Sequence, residues 1–186
     1  MKEIVILGAG YAGLRALHRL QASKGDFHIT LVDRNNYHYE ATDLHEVAAG
    51  TQLKEKITYT ISDVVKPSVT TFVQAKVETI NREAKTVTLD NGQVLNYDYA
   101  IVSLGFRSES FGITGVEDNA LEMVDIESAE KVYRHIVGQM QDYNKTQNPD
   151  DLKIVVCGAG FTGIELLGAL IAVSYTHLTL PTILLV

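Results

Sequence analysis

"EIVILGAGYAGLRALHRLQ" spans Glu3 to Gln21. Ile4 to Leu7 is a short apolar, β-branched run, the pattern of a buried parallel strand. Gly8, Gly10 and Gly13 then fit G-x-G-x-x-G, and Leu14, Leu17 and Leu20 recur at helical spacing just after them. A strand, a glycine turn and a helix in that order suit a phosphate-bearing ligand. The first glycine permits the tight turn, the second lets backbone approach a pyrophosphate, and the third allows close helix–strand packing. The helix N-terminus offers N–H groups and the positive end of its dipole to the phosphates.

A glycine triplet alone is a weak sign, since an ordinary strand–helix turn beside a surface acid would look similar. The following residues strengthen it. "FHITLVD", Phe27 to Asp33, reads as a second strand ending in an acid, and Asp33 lies 20 residues after Gly13. An acid at that spacing can accept the hydroxyls of a ribose.

The chain has 186 residues, is 46% hydrophobic and carries 16 Lys+Arg against 23 Asp+Glu, for a net charge of -7. That length suits one ordinary core, or one domain and part of another. An acidic surface repels phosphate backbones, which argues against nucleic acid as a partner. Cys157 is the one cysteine, so no intrachain disulfide is available and a reducing cytosol is the expected setting. Strand-like residues begin at Ile4 with no basic leader before them. No apolar run approaches the roughly 20 residues of a spanning helix.

Thr71–Ile80 and Lys85–Phe106 are β-rich, and Asn91-Gly92 marks a hairpin because both residues tolerate positive φ. Ala100 to Leu104 is apolar but for Ser103 and is expected to return to the buried parallel sheet. Gly105 follows it, where a side chain would obstruct a ligand; an ordinary strand-ending glycine fits equally. "DIESAEKVYRHIVGQMQDYNK" reads as an amphipathic helix that Asp125 can cap. Its stripe of Ile126, Ala129, Val132, Tyr133, Ile136, Val137 and Met140 is read as packing. The polar stretch Thr146–Asp151, with Pro149, reads as a linker.

The opening pattern then returns in "IVVCGAGFTGIELLGAL", Ile154 to Leu170. Ile154 to Cys157 reads as a strand with Cys157 as buried filler. Gly158, Gly160 and Gly163 repeat the triplet 150 residues after the first. Two such loops suggest two dinucleotides, a bound flavin and a diffusible nicotinamide. The fold class is therefore α/β: a Rossmann-like FAD-binding domain with a β-rich insertion, then the start of a second Rossmann-like NAD(H) domain. The segments expected are 1–145, 151–173, and a tail of 174–186.

At this point the chain resembles the type II NADH dehydrogenases, single-subunit NADH:quinone oxidoreductases with two dinucleotide-binding domains. The resemblance runs from Lys2 to about Leu170. It is carried by "LGAGYAGL", "NYHYEATDLHEVAAGT", "FVQAKVETI", "YDYAIVSLGF", "FGITGVEDNAL" and "GAGFTGIELLGAL". It implies that Gly8, Ala9, Gly10, Tyr11 and Ala12, with Gly13, hold the pyrophosphate of FAD. Asp33 and Arg34 would meet the adenosine end, Asp33 on the ribose, and Val77 would meet adenine through its backbone. Gly105 joins the FAD set, and Gly158, Gly160 and Gly163 would serve NADH as substrate. Glu165 matches the family's functional glutamate near flavin and quinone, where it would position the quinone or handle protons. An acid favoured by a helix N-terminal dipole would look the same.

The segment Asn36–Gly50 would lie beside the isoalloxazine, with His38, Thr42, His45 and Glu46. Glu40 joins these as a further acid, yet the spacing matches no compact zinc motif and no metal is expected. Disulfide reductases of this fold place a cysteine pair here, and this chain has none, so electrons would pass on without a dithiol. The resemblance also implies a place in a respiratory chain. The parent would lie peripherally on the cytoplasmic face of the cell membrane, attached through a C-terminal region, with a homodimer as candidate assembly.

"SYTHLTLPTILLV", Ser174 to Val186, departs from the family pattern. Pro181 stops a helix, and Thr176, Thr179 and Thr182 alternate in a way that does not continue one. Ser174–Thr182 resembles translated sequencing-adapter DNA, so the frame is read as cut short and joined to non-biological residues; a genuine divergent terminus ranks below. Three functions are carried forward. The first is the N-terminal part of an NADH:quinone oxidoreductase. The second is another flavoprotein of the fold, a ferredoxin reductase or a sulfide:quinone reductase, the latter disfavoured by the single cysteine. The third is an inactive nucleotide-binding fragment.

Overall fold

In the computed structural model, which describes residues 1–177 and 183–185, the chain forms two compact units. The first is Met1–Tyr39 with Thr58–Phe106, and the second is Glu40–Ile57 with Arg107–Val186.

The first unit begins with β1 (Lys2–Leu7), α1 (Tyr11–Ala22), β2 (Phe27–Asp33) and β3 (Tyr37–Tyr39). It resumes with β4 (Thr58–Thr60), β5 (Thr70–Gln74), β6 (Val77–Asn81), β7 (Thr86–Leu89), β8 (Val94–Asn96) and β9 (Tyr99–Val102). The strand order β5-β2-β1-β9 makes a wholly parallel sheet, with Leu7 paired to Val32 on one side and to Val102 on the other. Parallel neighbours need a crossover, and α1 supplies it between β1 and β2. Alternation along β1 sorts its side chains. Ile6 faces Leu17, Ile29 and Leu31 with α1, while Val5 and Leu7 join Val32, Val87 and Leu89 on the opposite face. That second face is covered by the antiparallel sheet β6-β7-β8, the β-rich insertion read from sequence.

The turn after β7 contains Asn91-Gly92 as expected, but only Gly92 takes a positive φ, at 81°. The side chain of Asn91 instead accepts from Gln93 N–H at 2.9 Å, which closes the turn locally. The apolar strand before Gly105 returns to the sheet as β9. It lies at an edge, so Tyr99 and Val102 stay exposed.

The second unit holds α2 (Leu44–Ala49), α3 (Val116–Asn119), α4 (Ile126–Thr146), β10 (Ile154–Val156), α5 (Phe161–His177) and β11 (Ile183–Leu185). α2 packs on both α4 and α5, and Leu44, Val47, Ala48, Ile126, Ala129 and Val132 are buried. Asp125 caps α4: its Oδ1 accepts from Ser128 N–H, and its own N–H donates to Ser128 Oγ, both at 2.9 Å. The apolar stripe is buried at Ile126, Ala129 and Val132 but not at Tyr133, which is 43% exposed. The stretch read as a linker is ordered, with Gln147 at φ 54° ending α4 and a short 3-10 turn over Pro149–Leu152.

Two local readings need correction. β10 ends at Val156, so Cys157 is not strand filler; it lies past the strand end and is exposed. α5 runs through Ser174 to His177, so Thr176 does not interrupt it, because a threonine keeps its N–H and lowers helix propensity only slightly. The expected stop at Pro181, with Thr179 and Thr182, lies outside the described residues.

Candidate functional site

The first glycine loop connects β1 to α1. Gly8 sits at φ 97°, and a Cβ there would lie 2.1 Å from the carbonyl oxygen of Ser103. A Cβ on Gly13 would lie 1.8 Å from the carbonyl oxygen of Gly8. Backbone therefore occupies the space that any side chain at either position needs. Gly10 differs, because a Cβ on it would meet nothing within 4 Å. The loop is closed by sterics at its first and third glycines and open at the second, the shape a pyrophosphate cradle requires. Gly10 also forms the N-cap of α1 without any side-chain cap, and the first turn carries no acid. The helix start thus presents its positive end undiluted.

Ala9 is buried, and Tyr11 and Ala12 are exposed at the start of α1. Asp33, at the end of β2, accepts from Ala9 N–H through Oδ2 at 2.6 Å and from Asn35 N–H through Oδ1 at 2.8 Å. The sequence reading expects this acid at a ribose; what the fold shows is its tie to the loop. Arg34 follows with its side chain exposed, and its carbonyl accepts from Gln74 Nε2 at 3.3 Å. Val77 opens β6, half-buried, and Gly105 follows β9 at φ 82° with open space around it.

Two residues that the motif did not mark hold this loop. Ser103 Oγ contacts the carbonyls of Leu7 at 2.8 Å and Gly8 at 3.0 Å. His38, 3% exposed, places Nδ1 2.7 Å from the carbonyl of Ala9. A small polar residue at the end of the strand neighbouring β1 was the available signal for Ser103. For His38 there was none beyond its presence in the family-like segment, because the bond spans 29 residues.

The second unit carries the other predicted residues. Gly158 has φ 105°, and a Cβ on Gly163 would lie 2.1 Å from the carbonyl oxygen of Gly158, so this loop repeats the tight contact of the first. A cavity of about 900 Å³ lies beside it, with Gly158, Gly160, Thr162 and Gly163 on one wall and Ile136 and Met140 on another. The α4 stripe read as packing therefore also lines this cavity through its C-terminal half.

Glu165 stands in the first turns of α5, exposed, with Oε2 3.8 Å from His45 Nδ1. The same Nδ1 lies 3.0 Å from the carbonyl of Thr42, which can only accept, so a hydrogen bond there uses the Nδ1 proton and leaves the Glu165 carboxylate as a longer contact. His45 Nε2 lies 3.6 Å from Glu46 Oε1, and Glu46 accepts from the Thr51 hydroxyl. Glu165, His45, Glu46 and Thr42 thus form one polar group within the second unit. Among the described residues no group of three or more His, Cys, Asp or Glu side chains is placed to hold a metal ion. Among the same residues no helix is long and apolar enough to cross a membrane.

Residues 2–180 match the family described as pyridine nucleotide-disulphide oxidoreductase. The chain is 46% identical over 173 residues to the type II NADH:quinone oxidoreductase of Staphylococcus haemolyticus, covering 91% of this chain and 43% of that protein. It is also similar to two solved structures of NDH2 from Plasmodium falciparum. The one in complex with RYL-552 has a TM-score of 0.83 at 21% identity and covers 100% of this chain and 41% of that one. The one in complex with NADH has a TM-score of 0.81 at 22% identity and covers 99% and 41%. At those identities the likeness shows the fold, a Rossmann-like parallel α/β arrangement.

Proposed function

The chain belongs to the pyridine nucleotide-disulphide oxidoreductase family, and from that premise we propose that it is the FAD-binding part, with the opening of the NADH-binding part, of an NADH:quinone oxidoreductase. The observation that carries this is the family match running through both glycine loops, from residue 2 to residue 180. The Staphylococcus haemolyticus relative supplies the substrates of the reading, NADH and a quinone.

The residues of the first unit fit FAD. Gly8 and Gly13 shape the loop, Gly10 leaves room for the pyrophosphate, and Ala9, Tyr11 and Ala12 offer backbone at the start of α1. Asp33 keeps lone pairs for a ribose hydroxyl beyond its two backbone bonds. Arg34 and Val77 serve the adenosine end, and Gly105 leaves the exit of β9 clear. A bound flavin supplies the two-electron carrier between NADH and quinone. Gly158, Gly160 and Gly163 take the NADH side, and Glu165 handles the proton or position of the quinone. The proposed domains are 1–145 for FAD and 151–173 for the start of the NADH domain.

The chain spans 43% of the relative's length. The proposal accordingly gives FAD binding to this chain and turnover to a chain of the relative's length. That longer protein would sit peripherally on the cytoplasmic face of the membrane, a placement supported by a membrane-soluble quinone, and would work as a homodimer, supported by the resemblance alone. FAD titrated into the purified chain should show quenched flavin fluorescence. The full-length protein should oxidise NADH with a soluble quinone. A flavin-loaded full-length protein that leaves quinone unreduced would overturn the reading.

A further inference from the structure

His38 sits on β3, directly opposite Tyr59 of β4, and is buried. Its Nδ1 lies 2.7 Å from the carbonyl oxygen of Ala9. A carbonyl oxygen only accepts, so Nδ1 carries the proton and donates. Among the described residues His38 Nε2 is buried with no hydrogen-bond partner. The ring meets Tyr11 edge-on with centroids 5.2 Å apart, and lies 4.8 Å from the ring of Tyr59.

A side chain retained for packing alone would be apolar, since an unpaired nitrogen in the interior is a cost with no return. The imidazole bears that cost at Nε2 while using Nδ1. The Nδ1 bond lands on the residue between the first two glycines of the loop. Ala9 is therefore gripped on both of its polar groups: its N–H by Asp33 at 2.6 Å and its C=O by His38 at 2.7 Å. Tyr11, the first residue of α1, rests against the same ring. Peptide orientation at Ala9 and the start of α1 are thus both set from β3.

We propose that His38 is a positioning residue of the first glycine loop, holding the Ala9 carbonyl so that the loop and the start of α1 keep the shape that receives a pyrophosphate. The ligand class rests on the FAD reading above; the clamp itself does not. Nδ1 donation is the working part, and the ring's bulk is secondary.

Three measurements on the 186-residue chain test this. The ¹⁵N spectrum of the unsubstituted protein should show His38 with its proton on Nδ1, and a proton on Nε2 alone would overturn the proposal. In His38→Leu, which keeps apolar bulk and loses the donor to the Ala9 carbonyl, the loop should open more readily, and exchange of the Ala9 N–H, which Asp33 holds in the closed loop, should quicken by about fivefold to tenfold as the readout of that opening. His38→Asn puts an amide N–H where Nδ1 sits, and should restore exchange to within about threefold of the unsubstituted chain. FAD affinity should follow the same order, weakened in His38→Leu and recovered in His38→Asn. Equal damage in both variants, or none in either, would overturn the proposal. Failure of the unsubstituted chain to take up FAD would overturn the cofactor reading, while the spectrum and the exchange rates still decide the clamp.

Discussion

Asp33 Oδ2 accepts the Ala9 N–H at 2.6 Å, so the acid that ends β2 is tied to the glycine loop that ends β1. Its other oxygen accepts from Asn35 N–H at 2.8 Å. Asp33→Ala removes both acceptors at once. It should weaken FAD retention and lower the stability of the first unit, with a loss of roughly 1.5–3 kcal/mol for hydrogen bonds to a charged group. Asp33→Asn keeps one acceptor oxygen and should fall between. Fluorescence titration and thermal melts read the two effects separately, and unchanged values in both would remove Asp33 from either role.

Gly13 and Gly10 should respond oppositely to the same substitution. Gly13→Ala drives a methyl group to within 1.8 Å of the Gly8 carbonyl oxygen, so backbone must move. A destabilisation of about 1–3 kcal/mol or more is expected in chemical denaturation. Gly10→Ala meets nothing within 4 Å and should cost no more than about 0.5–1 kcal/mol, for a poorer N-cap on α1, yet it fills the space that the proposed function gives to the pyrophosphate and should abolish FAD binding. A Gly10→Ala chain that binds FAD normally would show that the ligand approaches elsewhere.

The ends of β1 and β9 are joined by Lys2 and Asp98, 2.7 Å apart. The Lys2 hydrogen bond, helped by the Glu3 N–H, holds the Asp98 carboxyl below its ordinary 3.8, and the Asp98 hydrogen bond raises Lys2 above 10.5. Asp98 therefore contributes stability above 3.8 that is lost as pH falls through its lower folded value. Lys2 contributes below 10.5, and that part is lost as pH rises through its higher folded value. Both groups are solvated, so the effect should be small and fade with salt. Melts of Asp98→Asn should show a shallower acid limb at low ionic strength; an unchanged limb would mean the pair contributes nothing.

Asp125 begins α4 with reciprocal bonds to Ser128. Asp125→Ala should cost about 0.5–2 kcal/mol by the loss of that cap. α2 and the cavity wall both lean on α4, so the melt should report the second unit. Asp125→Asn, which keeps an acceptor, should recover most of the loss.

Glu165 is to be tested in the full-length protein. Glu165→Gln should leave FAD bound and flavin reduction by NADH intact, while slowing reoxidation by quinone in stopped-flow. If the acid serves only the α5 dipole, the change should move stability by about 0.3–1 kcal/mol and spare both half-reactions. Wild-type rates in both would take Glu165 out of the mechanism.

Sequence alone determined what depends on neighbours along the chain. The strand, triplet and helix at Ile4–Leu20, the acid at Asp33 and the repeat at Gly158–Gly163 were legible because turn geometry and helical period are written at fixed short spacings. The cap at Asp125 was legible for the same reason. Tertiary structure decided what depends on distant chain segments meeting. It set β9 at the edge of the sheet and put Ser103 under Gly8, across 95 residues. It brought His38 to the Ala9 carbonyl and grouped His45 with Glu165. No local pattern encodes such pairs: a histidine or serine looks the same in sequence whether its hydrogen faces water or a loop 29 or 95 residues away. Parallel pairing of β1 with β9 brings Ser103 under the loop, and the separate antiparallel pair β3–β4 carries His38 to it.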